Sequence, residues 1–86
     1  MRKENSMFLV QYQTNVSHLS GREGVLEHFI PSINEFREFR DHLETNDGSF
    51  AHYIASRISK KHQRAVVLDY SANNTELHVY ENGVAA

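Results

Sequence analysis

With 86 residues, 40% of them hydrophobic and 23% charged, the chain has the composition of one small globular domain, which excludes a disordered or low-complexity class. A formal charge of −2 implies neither polyanion binding nor polyanion mimicry, and zero cysteines exclude disulfides and thiolate zinc sites as supports for the core. A chain this short buries only about 60–65% of its unfolded surface, so a further interface would add to a thin stability margin.

Residues 1–6 are polar and charged and read as a disordered N-terminal segment. The apolar run behind them, Met7 to Val10, is too short for a signal-peptide core or a membrane span. Together with the missing cysteines this suits the cytoplasm, where the acceptor-like triplets Asn15-Val16-Ser17 and Asn73-Asn74-Thr75 carry no glycan.

From Met7 to Val16 the pattern alternates, with Phe8, Val10, Tyr12 and Val16 on one face and Gln11, Gln13 and Asn15 on the other, as in a half-buried strand. Ser17 to Gly24 reads as a loop and Val25 to Ile30 as a strand returning to the first. Pro31-Ser32-Ile33-Asn34-Glu35 then resembles a helix start, with Ser32 and Glu35 placed for a capping box. Ile33, Phe36, Phe39 and Leu43 follow at helical spacing, and Asn46-Asp47-Gly48 ends the run. Ser49 is the expected cap of a second helix, with Phe50, Ile54 and Ile58 as its stripe and Ala51 and Ala55 widening it. Arg64 to Ser71 and Glu76 to Glu81 alternate as strands about a turn at Ala72-Asn73-Asn74.

These elements predict an α+β fold, ββααββ, over residues 7–83, with residues 84–86 a short tail. The economical architecture is a four-stranded antiparallel sheet with both helices on one face. Its core would be Phe8, Val10, Tyr12, Phe36, Phe39, Leu43, Phe50, Ile54, Ile58, Val66, Leu68, Leu77 and Val79.

No catalytic or cofactor signature stands in the chain. Its serines lie outside any nucleophile elbow, and Gly21-Arg22-Glu23-Gly24 lacks the Lys-Ser/Thr of a phosphate loop. The six histidines, His18, His28, His42, His52, His62 and His78, form neither H-x-x-x-H nor H-E-x-x-H, so no metal site is predicted from spacing.

Two surfaces are candidates for partners. Leu9, Gln11, Gln13, Val67, His78 and Tyr80 would point away from the helices, a mixture of apolar, amide and aromatic groups that suits a protein interface or self-association. Arg57, Lys60, Lys61 and Arg64, beside Tyr53, concentrate positive charge at the end of the second helix, against five basic and eleven acidic residues elsewhere. Such a cluster suits a polyanion or an acidic partner, although cations also stabilise a helix C-terminus by themselves. The sequence therefore predicts a small non-enzymatic module that regulates or inhibits another protein, of the kind that phages and mobile elements encode. The alternative is a nucleic-acid-associated regulator acting through the basic cluster.

Overall fold

The computed structural model describes residues 7–14, 25–30, 33–70 and 75–86. They form β1 (Phe8–Gln13), β2 (Val25–Ile30), β3 (Glu35–Thr45), α1 (Gly48–His62), β4 (Arg64–Asp69), β5 (Glu76–Glu81) and β6 (Val84–Ala85). Every pairing is antiparallel, in the spatial order β2-β3-β1-β4-β5-β6, and the sheet curls into a half-barrel. The expected architecture of four strands and two helices is therefore corrected to six strands and one helix among the described residues.

The difference lies mainly in residues 35–45, an 11-residue strand where helical spacing predicted a helix. Phe36, Phe39 and Leu43 carry that spacing but do not form one stripe. β3 pairs with β2 on one side and β1 on the other, so both rows of its backbone groups enter ladders. Between Val10 and Gln11 the register shifts: Val10 opposes Leu43 and Gln11 opposes Asp41, which leaves His42 as the extra residue of a bulge. The bulge reverses the alternation, sending Phe39 to one face of the sheet and Leu43 to the other. At the start of this strand Asn34, with φ 54, closes a turn in which the N–H groups of Ile33 and Asn34 both donate to the Ile30 carbonyl. The predicted cap at Ser32 lies outside the described residues, and Glu35 opens β3.

α1 is the predicted second helix. Its cap is Asp47, whose side chain accepts from the Phe50 N–H at 3.1 Å, one residue pair earlier than the expected Ser49 cap would act. Gln63, at φ 74, ends it. Ala51, Ala55 and Ser59 recur one turn apart and are fully buried, so the helix approaches the sheet on its smallest side chains. They meet Val10, Ala65 and Val67, with Phe8, Leu43, Ile54, Ile58 and Tyr80 around them. Ser59 also joins the helix to the turn before β6: its hydroxyl donates to the Ser56 carbonyl and accepts the Gly83 N–H at 2.7 Å, while the Ser56 hydroxyl donates to the Gly83 carbonyl. Gly83 has φ +90, and a Cβ there would meet the Lys60 side chain at 2.6 Å.

On the opposite face, inside the curl, Ile30, Phe39 and Val66 are fully buried with Ile33, Leu77 and Val79 against them. The core is therefore split across both faces, and two expected members leave it: Phe36 is 63% and Phe50 44% exposed. Val84 and Ala85, expected as a tail, pair with Glu81 and Tyr80. Among the described residues no helix is long and apolar enough to cross a membrane.

Candidate functional site

The six residues assigned to an outer sheet face divide between two faces. β1 turns Phe8 and Val10 toward α1, so Leu9, Gln11 and Gln13 lie inside the curl, where all three are buried. Val67 and Tyr80 lie on the helix side, and His78 with them, because it opposes Val67 in the ladder. Their grouping required β4 to turn Val66 and Leu68 toward the helix. The register pairs Val10 with Val67 and Gln11 with Val66, and so places the smaller Ala65 and Val67 under the close helix instead.

The interior half of this set forms a polar strip. Gln11 donates through Nε2 to Asp41 Oδ1 at 2.5 Å, so its carbonyl oxygen is left to accept the N–H of His28 Nε2. Burial lowers the proton affinity of His28, with Asp41 pulling the other way. Next to this strip, Arg64 donates to Glu81 Oε2 at 2.9 Å and to Gln13 Oε1 at 2.8 Å. Every one of these polar groups is engaged inside the protein.

That arrangement also divides the predicted basic cluster. Arg64 is the first residue of β4 and turns into the curl, leaving Arg57, Lys60 and Lys61 on the exposed surface of α1. Tyr53 stays with them, but the Arg57 guanidinium lies 5.7 Å from its ring centroid, over the face that a base would stack on.

A different surface stands open. α1 packs chiefly on β1, β4 and β5, so among the described elements none packs on the same side of the sheet over β2 and most of β3. Phe29 and Phe36 oppose each other there in the β2–β3 ladder, with ring centroids 5.4 Å apart in an edge contact. They are 42% and 63% exposed. β2 ends the sheet, and no strand among the described residues pairs with its outer edge. Glu27 opposes Glu38 two residues along from the aromatic pair, and the Glu38 Oε1 is enclosed without a hydrogen-bond partner.

Phe29 had no role in the sequence reading and Phe36 had been assigned to the core. The available signal was the near-mirror arrangement of Glu27-His28-Phe29-Ile30 and Glu35-Phe36-Arg37-Glu38 about the Ser32–Ile33 bond, which suits a hairpin. Compared with known protein families, with characterised proteins and with solved structures, the chain matches none.

Proposed function

We propose that the chain is a non-enzymatic protein-interaction module whose partner docks on the open half of the sheet, against Phe29 and Phe36 and along the outer edge of β2. The observation carrying this reading is the exposed aromatic pair on an edge strand. Two large rings left in water on a small domain are an uncompensated cost of apolar exposure, and covering them is favourable by about 25 cal/mol per Å². Aromatic side chains lose little entropy on docking and serve as anchors. The outer edge of β2, which no described strand pairs, offers backbone groups to a strand from outside, the usual way an extended segment is added to a sheet. Regulation or inhibition of the partner, in the cytoplasm, is the role that this reading assigns.

The nucleic-acid alternative has less behind it. Three cations remain together, against the 6–10 phosphate contacts of strong binders, and Tyr53 already stacks with Arg57. Affinity capture from nuclease-treated lysate of the native host separates the two. Phe36→Glu, at an exposed position, should abolish capture with an unchanged circular dichroism spectrum, and Lys60→Glu with Lys61→Glu should preserve it. Capture that survives Phe36→Glu and fails in the lysine variant would transfer the site to α1. Sedimentation of the purified protein shows whether the partner is a second copy.

A further inference from the structure

The helix side of the β4–β5 hairpin carries a group of side chains that neither the proposed docking surface nor the core uses. Asp69 and Glu76 oppose each other directly across the ladder. Two carboxylates in that position repel, and a cation between them converts the repulsion into attraction. His78 lies two residues beyond Glu76 on the same face, its Nε2 3.5 Å from Glu76 Oε1. One ligand atom from each of Asp69, Glu76 and His78 falls within 4.8 Å of the other two. His52 reaches down from α1, its ring centroid 5.0 Å from that of His78. The Tyr80 hydroxyl lies 2.7 Å from His52 Nδ1 and fixes that ring.

We propose that Asp69, Glu76 and His78 form a binding site for a divalent transition-metal ion, with the His52 ring packed edge-on against the His78 ligand. Three observations fix the chemistry. The imidazole and carboxylate donor set suits zinc and its neighbours, whereas calcium and magnesium favour oxygen-only shells. Zinc ligands about 2.0–2.1 Å from the ion lie about 3.3–3.4 Å from one another, and the three atoms already lie within 4.8 Å of one another. The two carboxylates are carried by directly paired residues, so the backbone that presents them is already in place. Sequence spacing could not reveal the site, because Asp69 and His78 meet through a hairpin and His52 joins from the helix.

The bound ion would cross-link β4 to β5 and hold His78 where it packs on His52 of α1, and binding should therefore raise the melting temperature. The test is calorimetric titration of the untagged full chain with zinc chloride at pH 7.5, and with calcium chloride in parallel. One zinc per chain is expected, together with a shift of the His78 ring resonances. Asp69→Asn and His78→Ala should each weaken binding at least about 10-fold, the lower end of what loss of even an outer-shell partner costs. His62→Ala, at the other end of the helix, should leave it unchanged. Circular dichroism in chelator confirms that each variant folds. Should His78→Ala unfold, Glu76→Gln at an exposed position gives the same reading. Zinc uptake that is equal in all variants would mean an adventitious ion only, and it would overturn the proposal, as would no uptake or a preference for calcium.

Discussion

Phe39 and Leu43 are four residues apart on one strand and face opposite sides of the sheet, Phe39 into the curl and Leu43 toward the helix. The His42 bulge alone separates them. Deleting His42 would restore strict alternation and force either Leu43 away from the helix or Phe39 out of the interior. The deletion should cost at least the ~2–5 kcal/mol of losing one large core side chain, whereas His42→Ala, which keeps the extra residue, should cost under about 1 kcal/mol. Chemical denaturation of both variants checks this, and equal losses would remove the structural role assigned to the bulge.

The two phenylalanines at positions 36 and 39 should respond in opposite ways to truncation. Phe39 is fully buried and Phe36 mostly exposed. Phe39→Ala should destabilise by ~3–5 kcal/mol. Phe36→Ala should stay within about 0.5 kcal/mol while reducing partner binding. Thermal melts of the pair would show comparable losses if residues 35–45 were a helix, because Phe36 and Phe39 would then share its inner face.

Ser59 is buried and engages two backbone groups, the Ser56 carbonyl and the Gly83 N–H. Ser59→Ala leaves the Gly83 donor without its acceptor and should cost ~1–3 kcal/mol. Gly83→Ala should be destabilising as well, because φ +90 is a conformation that side chains resist and Lys60 would have to move. Hydrogen exchange at the Gly83 amide reads the first effect directly: faster exchange in Ser59→Ala is expected, and unchanged protection would mean that the bond contributes nothing.

Acidification should destabilise the fold through His28. Burial lowers its pKa in the folded state, against an opposing pull from Asp41, so the unfolded chain takes up the proton first. Stability is therefore full above the unfolded value of about 6.5 and falls as pH drops from there through the folded pKa. His62 is displaced in the same direction, by burial and then by Lys61 and His42, and adds to the slope. Replacing His28 with Gln keeps a donor for Gln11 and removes the titration, so denaturation midpoints from pH 7.5 to 5 should fall less steeply in that variant. An identical slope would assign the acid sensitivity to other groups.

Much of the chain was legible where a segment's own alternation decides its state. β1, β4 and β5 were readable, and so was the helix stripe of Ile54 and Ile58 over Ala51 and Ala55. The internal facing of the β4–β5 hairpin was also correct, with Val67, His78 and Tyr80 on one side. Which side met the helix was not readable, because β4 is apolar on both faces and only long-range register distinguishes Ala65 and Val67 from Val66 and Leu68. The same limit hid the sites. Phe29 and Phe36 become neighbours through a ladder, and Asp69, Glu76, His78 and His52 converge from three elements. In residues 35–45 a bulge imitated helical spacing, and pairing on both sides overrode it.

The position of β1 has a kinetic consequence. First in sequence, it is central in space, and its partners are distant: Phe8 opposes Thr45 on one side and Asp69 on the other. The β2–β3 and β4–β5 ladders join strands that are near neighbours along the chain, so their closure is cheap in loop entropy, whereas the two edges of β1 close the longest loops in the sheet. During synthesis at about 5–20 residues per second, β1 would wait some seconds before Asp69 emerges to pair with it. Pulse-labelled hydrogen exchange should accordingly find the amides of β1 protected last, and their early protection would show that the chain finds its centre first. Until that strand inserts, the two ladders have no common member, and the half-barrel exists only as separate hairpins.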